Sequence, residues 1–337
     1  MNSIQPIESP DAQSDSPALP QLLKAAGDAL RLDILRVMAQ DSFGVLELCQ
    51  LFDSKQSGMS HHLKVLANGG WVTSRREGNS IFYRRAYLPP AHPMAELQQT
   101  LFATLDRQPL AEQQAERLSL LQQERGQASQ IFFTDNADKF RAQQDLIASY
   151  PVYADQVHQL LANTPLRSTH LALEVGPGEG EFLPLLARRF TQVVALDNAA
   201  TMLERAKARP ENQRFNNIEY ILGDTRSLSR HRVLADCIVV NMVLHHTPSP
   251  ADIFQDLSAA LTPGGALLVS DLCRHEQTWA RDACGDLWQG FEPQDFSRWA
   301  EAAQLSEGQS VYFALRNGFQ IQIRQFFKPL NQGAKHG

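Results

Sequence analysis

The stretch that most constrains this chain is Leu171-Ala172-Leu173-Glu174-Val175-Gly176-Pro177-Gly178-Glu179-Gly180, a short apolar run that gives way at once to three closely spaced glycines. An apolar run of this length suits a strand buried on both faces. The glycines allow a turn in which the backbone approaches a ligand closely. A helical pattern from Phe182 to Arg189 follows directly, so helix-end N–H groups face whatever the turn holds. Strand, glycine turn and helix in succession belong to an α/β fold.

The later stretches repeat this alternation. Val193–Leu196 reads as a second strand ending in Asp197, seventeen residues after Gly180. A carboxylate there can accept from both hydroxyls of a ribose, while Asp197 or its neighbour Asn198 would equally serve as a helix N-cap. Ile218–Leu222 ends in Gly223-Asp224, where the acid can accept from an adenine amino group. Cys237–Val240 runs into Asn241-Met242-Val243-Leu244-His245-His246. A helix carrying Leu257 and Leu261, a turn at Thr262-Pro263-Gly264-Gly265 and a strand over Ala266–Asp271 follow. Val311–Leu315 and Phe319–Phe327 alternate about Asn317-Gly318, a strong hairpin dipeptide. The glycine spacing is GxGxG, preceded by Glu174, which favours a cationic adenosylmethionine over a dinucleotide pyrophosphate.

In order, ExGPGEGE, LD, GD, NMVLHH and LTPGGALLVSDL resemble the class I methyltransferases, particularly the small-molecule branch that includes the ubiquinone-biosynthesis type. The resemblance implies a Rossmann-like, seven-stranded domain over residues 166–330 with S-adenosylmethionine or S-adenosylhomocysteine as its ligand. It also implies Gly176, Gly178 and Gly180 at the methionine moiety, Asp197 at the ribose, Asp224 at the adenine and Asn241 at the pocket edge. Glu174 and Asn198 complete the candidate cofactor set.

A different pattern occupies residues 19–109. Leu22, Leu23, Ala26, Leu30, Ile34, Leu35 and Met38 recur at helical spacing, and a short helix fits Val45–Phe52. After the polar turn Asp53-Ser54-Lys55, residues 56–66 form a helix with Met59, Leu63 and Leu66 on one stripe. Its other face carries Gln56, Ser57, Ser60, His61 and Lys64, groups suited to base edges and phosphates. Two alternating runs, residues 71–76 and 80–85, flank Glu77-Gly78-Asn79 as a hairpin. KQSGMSHHLKVLANGGWVTSRREGNSIFYR resembles the recognition helix and wing of the ArsR/SmtB family of regulators. That resemblance implies a homodimer on double-stranded operator DNA, with Arg75, Arg76 and Tyr83 of the wing joining the helix residues. Many members of that family bind soft metals through paired thiols, but Glu47-Leu48-Cys49-Gln50-Leu51 keeps one cysteine, so no metal is expected.

Charge divides along the same line. Residues 21–90 hold nine Lys/Arg against six Asp/Glu, leaving 22 against 31 in the rest of a chain whose net charge is −6. A basic module on an acidic body points to a polyanion partner for the first segment alone. The four cysteines are scattered without a CxxC pair, and no apolar run approaches the ~20 residues of a membrane span. The expected location is the cytoplasm, with residues 1–18 as a disordered tail. Residues 110–165, rich in Gln, Ala, Leu and Glu, read as a helical connector.

The expected architecture is thus α/β: an N-terminal winged helix-turn-helix and a C-terminal Rossmann-like class I methyltransferase fold. The preferred function is a ligand-sensing transcriptional repressor that responds to adenosylmethionine or adenosylhomocysteine and controls methionine-cycle genes. The alternative is an active small-molecule methyltransferase with an autoregulatory or dimerising winged helix. His245 and His246 are the weak candidates for catalytic bases.

Overall fold

The computed structural model describes residues 19–330 apart from 40, 78–79 and 89–90. The tail expected over residues 1–18 and the hairpin tip at Gly78-Asn79 lie outside the described residues. The chain divides into two compact units, one comprising residues up to Arg76 with Ser80–Ala115, the other running from Glu116 onward.

The first unit contains α1 (Leu19–Ala26), α2 (Ala29–Val37), β1 (Phe43–Gly44), α3 (Val45–Phe52), α4 (Gln56–Asn68), β2 (Val72–Glu77), β3 (Ser80–Arg85) and α5 (Ala95–Asp106). The apolar stripe of residues 19–38 is broken at Asp28, whose Oδ1 accepts from the Arg31 backbone N–H at 3.0 Å and caps α2. Asp53, at φ 48°, ends α3 and makes the turn into α4. β1 pairs antiparallel with β3 to give a three-stranded sheet in the order β1-β3-β2. Two residues carry too little periodicity to announce β1 in the sequence. Leu22, Ile34, Leu35, Leu48, Met59, Leu63, Leu66 and Trp71 are buried. The Trp71 indole donates to the Leu22 carbonyl at 2.8 Å.

Three of the cations counted in this segment are held internally. Arg31 pairs with Asp28, Arg36 with Asp33, and the buried Arg85 with Asp106 at 2.6 Å. Asp28 and Asp33 are among the six acids already counted, so only the Arg85–Asp106 pair lowers the basic surplus of the segment, by one charge.

In the rest of the chain, α6 (Glu112–Ala148) runs through the division at Ala115 and is followed by α7 (Tyr150–Asn163). Alternating strands and helices come next: β4 (Leu171–Val175), α8 (Leu183–Arg189), β5 (Gln192–Asp197), α9 (Ala200–Ala208), β6 (Ile218–Leu222), β7 (Ala235–Asn241), α10 (Pro250–Ala260) and β8 (Leu261–Leu272). The last elements are α11 (Trp279–Cys284), α12 (Pro293–Ala302), β9 (Ser306–Ala314) and β10 (Gln320–Phe327).

These strands form a seven-stranded sheet in the order β6-β5-β4-β7-β8-β10-β9. β4 to β8 are parallel, and β10 runs antiparallel to both β8 and β9. The chain leaves β4 to one side through β5 and β6 and returns to the other through β7. A parallel sheet binds its ligands at such a switch point, outside the carboxyl ends of the strands.

Two expectations need adjustment. Leu261 begins β8 instead of closing the preceding helix, and the expected turn over residues 262–265 lies within that strand. Gly264, at φ 80°, makes this possible, and the pairing with β7 shifts register between Ala235 and Cys237. Much of the expected connector also belongs to the second unit. Ile147, Tyr153, Val157, Leu160 and Leu161 share one buried cluster with Leu183, Leu186, Val193 and Leu268. An amphipathic helix reads alike as a bridge or as one wall of a core, because its pattern does not say what covers it.

All four cysteines are free thiols. Among the described residues no helix is long and apolar enough to cross a membrane.

Candidate functional site

A cavity of about 890 Å³ opens at the carboxyl ends of β4, β5 and β7. Glu174, Gly176 and Gly178 reach it from the first βα turn, Asp197 and Asn198 from the second strand end, Asp224 from the third, and Asn241 from β7. The glycine turn has φ of 64°, 57° and 75° at Gly176, Gly178 and Gly180, a region costly for residues that carry a Cβ.

The glycines differ in what they face. A Cβ on Gly178 would meet nothing within 4 Å, so that face is open. Gly180 is buried and does not line the cavity; a Cβ there would overlap the Asn212 amide, which donates to the Gly180 carbonyl at 3.0 Å. Gly180 thus packs turn against helix and contributes no ligand-facing surface.

Glu174 is 2% exposed, and its Oε2 makes no well-formed hydrogen bond. Burial pushes its carboxyl up to about 8, while the Asn241 side-chain amide, near enough to donate weakly toward it, acts in the other direction. Asn241 accepts from the Ser270 hydroxyl at 2.8 Å through Oδ1, while its buried Nδ2 makes no well-formed bond. An unmatched acceptor and donor at the end of a cavity suit a ligand bearing both an ammonium and a carboxylate.

Neither Asp197 nor Asn198 is the N-cap of α9, a position held by Ala199 without a side-chain capping bond. Asp197 Oδ1 accepts from the Ala199 N–H at 2.9 Å, next to the start of α9, while the side chain also faces the cavity. Burial raises its carboxyl to about 6 against the opposing pull of the Ala199 and Asn198 amides. Asp224 reaches the cavity too, but already accepts from Arg226 at 2.9 Å.

The two histidines separate. His245 is fully buried outside the lining, and its Nδ1 lies 2.7 Å from Asp271 Oδ1. The Leu244 and Leu272 amides also donate to Asp271, at 2.9 and 2.7 Å. Burial alone would lower His245, but the charges of Asp271 and Asp286 outweigh it and raise it to about 9. His246 lines the cavity, with Nε2 2.9 Å from the Gln144 side-chain nitrogen and Nδ1 3.5 Å from Asp286 Oδ1. Burial and the neighbouring His245 charge lower it well below the ordinary histidine value. One donor atom from each of His245, His246 and Asp286 lies within 4.8 Å of the others, close enough to share a proton or a cation.

Several cavity residues escaped the sequence reading. Gln144, Tyr150 and Tyr153 come from α6 and α7, and Arg226 from the turn after β6. Burial raises both tyrosines, keeping them neutral hydrogen-bonding phenols. Tyr-Pro-Val-Tyr at 150–153, with proline at a helix start, was the available signal.

The DNA-facing candidates lie elsewhere. Gln56, Ser57, Ser60, His61 and Lys64 are all exposed on α4; Arg76 on β2 is exposed, and Arg75 and Tyr83 are half-buried.

Residues 173–269 match the model of a methyltransferase domain. Over 113 residues the chain is 35% identical to a trans-aconitate 2-methyltransferase of Methylobacterium radiotolerans, which is 33% of this chain and 41% of the relative. It is 30% identical to a malonyl-[acyl-carrier protein] O-methyltransferase of Marinomonas over 130 residues, covering 37% of this chain and 47% of the relative. It is 27% identical to a ubiquinone biosynthesis O-methyltransferase of Coxiella burnetii over 153 residues, covering 42% and 64%. The chain therefore spans between two fifths and just under two thirds of these relatives. Among solved structures, the N-methyltransferase NodS of Bradyrhizobium japonicum with S-adenosyl-L-homocysteine aligns at TM-score 0.43 and 20% identity, over 56% of this chain and 98% of NodS.

These matches overturn the preferred expectation of a ligand-sensing transcriptional repressor. The named relatives are enzymes, and the matched segment is the one that builds the cavity.

Proposed function

We propose that the second unit is an S-adenosylmethionine-dependent methyltransferase acting on a small molecule. The observation that carries this reading is the pair of buried polar atoms, Glu174 Oε2 and Asn241 Nδ2, which line the cavity and make no well-formed hydrogen bond, meeting at best weakly with each other. They match the amino and carboxylate groups of the methionine moiety. The open face of Gly178 lets that moiety lie against the backbone, and Asp197 takes the ribose hydroxyls with the oxygen not held by Ala199. Asn198 and Asp224 extend the wall toward the adenine. S-adenosylmethionine supplies an electrophilic methyl group on a sulfonium. At about 890 Å³ the cavity lies toward the upper end of the ~300–1,000 Å³ common for ligand sites, which leaves room for an acceptor beside the nucleoside.

Calorimetric titration of the full chain with S-adenosylhomocysteine tests the reading. Saturable one-site binding is expected, weakened at least tenfold by Asp197→Ala. Adenosylhomocysteine release in the presence of small acceptors then reads the transfer itself. Absence of binding by both nucleosides defeats the proposal.

We propose further that the first unit is a winged helix whose α4 face, with Arg75, Arg76 and Tyr83, contacts double-stranded DNA. The exposure of five polar residues along one helix supports this. Leu19 and Leu23 on α1 and Leu97 on α5 are exposed apolar residues that favour a homodimer. Anisotropy with a labelled duplex checks the first point: affinity should fall steeply with salt, and Gln56→Ala with His61→Ala should weaken it. Light scattering at micromolar protein checks the second, and a monomer mass would refute it.

A further inference from the structure

Resting on the transferase reading above, we propose that His246 takes the proton of the methyl acceptor, and that the acceptor is a hydroxyl or an amine reacting in its neutral form, and not a carboxylate. His246 stands on the cavity wall at the end of the short turn Leu244–His246, with its Nε2 2.9 Å from the Gln144 side-chain nitrogen. An amide N–H at that distance donates to an unprotonated Nε2. The ring's lone pair therefore points to the cavity side, and its proton sits on Nδ1. Nδ1 faces the Gly285 carbonyl oxygen at 3.4 Å and Asp286 Oδ1 at 3.5 Å, both acceptors. A ring oriented through its far nitrogen, with its near nitrogen unprotonated and held by a neutral amide donor that an acceptor can displace, is the arrangement a general base requires. The Gln144 N–H occupies the position that an acceptor O–H or N–H would take.

The surroundings keep His246 in that form. The His245 ring centroid lies 3.9 Å away, locked by Asp271 on its other side. Positive charge on His245 disfavours a second imidazolium beside it, so His246 stays neutral and able to accept.

The acceptor class follows from the wall and from the base together. Among the described residues eight carboxylates line the cavity against one guanidinium, Arg226, which pairs with Asp224. Glu174 is held toward its neutral form, and Asp145, Asp252 and Asp256 are left beyond the nucleoside set to determine the local charge. Arg205 and Arg209 offset two more, pairing with Glu179 and Glu181. A carboxylate acceptor meets repulsion there, and having no proton to lose near neutral pH it has no use for a base. A hydroxyl or amine needs both features. As the acceptor's lone pair bonds to the methyl carbon, the carbon–sulfur pair stays on sulfur and discharges the sulfonium. The acceptor's proton passes to His246 Nε2, and the resulting imidazolium later releases it to solvent.

The test uses the full chain labelled with ¹⁵N-histidine, saturated with S-adenosylhomocysteine at pH 7.5 and observed by long-range ¹H–¹⁵N NMR, with His246→Asn assigning the ring. The expected form is a neutral ring protonated at Nδ1, perturbed by millimolar catechol or tyramine and not by trans-aconitate. Catechol offers hydroxyls alone and tyramine a phenol and an amine, so the position of the methyl group in the tyramine product, on oxygen or on nitrogen, distinguishes the two acceptors. Turnover of either should fall about 100-fold or more in His246→Asn, with adenosylhomocysteine affinity kept within about threefold. An imidazolium, an Nε2-protonated ring or a stoichiometric metal bound at the histidine pair overturns the base. Perturbation or turnover by trans-aconitate alone overturns the acceptor class, as does indifference to both catechol and tyramine. The tautomer is read in the unsubstituted chain and does not depend on a variant folding. Loss of adenosylhomocysteine binding in that same chain would strike the transferase reading instead.

Discussion

Arg85 in the first unit and Glu174 in the second are both ionisable side chains taken almost wholly out of water, at 3% and 2% exposure, yet their surroundings differ. Arg85 gives its Nε to the Leu35 carbonyl at 2.7 Å and its fork to Asp106, so its donors are answered within the unit. Glu174 has an oxygen with no well-formed hydrogen bond and a carboxyl driven toward its neutral form. Burying a charged group costs several kcal/mol unless hydrogen bonds or an opposite charge offset it. The first arrangement stabilises the fold by itself. The second leaves hydrogen-bonding capacity facing the cavity, which is what the proposed role of Glu174 toward a cationic ligand would use.

The largest effect should come from confusing the two kinds of position. Gly180→Val places a branched side chain at φ 75° against the Asn212 amide. We expect a loss of about 4 kcal/mol in urea unfolding. Gly178→Ala, with open space ahead of it, should cost about 1 kcal/mol in stability while weakening adenosylhomocysteine binding at least tenfold. Equal destabilisation by the two would erase the distinction between packing glycine and ligand-facing glycine.

Arg85→Ala should destabilise the first unit by about 2 kcal/mol, because the Leu35 carbonyl loses its donor and Asp106 its partner. Asp106 is half-exposed and rehydrates, which keeps the loss moderate. Nucleoside binding should be unchanged, and a shift of more than about threefold would contradict the separation.

Glu174→Gln should do the reverse, weakening adenosylhomocysteine binding more than tenfold while changing the stability of the free protein by roughly 1 kcal/mol or less below pH 5. The sign of its pH dependence follows from the raised carboxyl. The folded state holds its proton more tightly than the unfolded chain, from the ordinary 4.5 up to about 8. Stability contributed by this group is therefore present below about pH 4.5, is lost as pH rises toward 8, and is constant above it. Paired urea melts should show the variant gaining on the native chain across that window, and parallel curves would refute the assignment.

The smallest effect should be at the surface. Gln56→Ala with His61→Ala ought to leave stability within about 0.5 kcal/mol, as both side chains are exposed on α4. A larger loss in thermal unfolding would mean that this face packs against something.

The sequence made the parallel strands, the glycine turn and the acids at the strand ends legible, because each is written in consecutive residues whose period and punctuation suffice. Gly176, Gly178, Glu174, Asp197, Asn198, Asp224 and Asn241 all reach one cavity. Gly180 does not, since which glycine faces a ligand and which faces Asn212 depends on residues 32 positions apart. The connector was hard to place for the same reason: a helical composition rich in Gln, Ala, Leu and Glu over residues 110–165 does not name the sheet it covers.

By itself, then, the sequence determined the α/β alternation, the switch-point turn and the carboxylates at the strand ends that line the cavity, because short-range periodicity and turn chemistry decide those. Only the tertiary structure decided what the two adjacent histidines do. Asp271 meets His245 across 26 positions, Gln144 meets His246 across 102, and His246 lies 39 positions before the Gly285 carbonyl it faces. No local pattern encodes these meetings. Parallel pairing of β7 with β8 and the packing of α6 bring distant segments together, and that packing places one imidazole in the core and the next at the cavity.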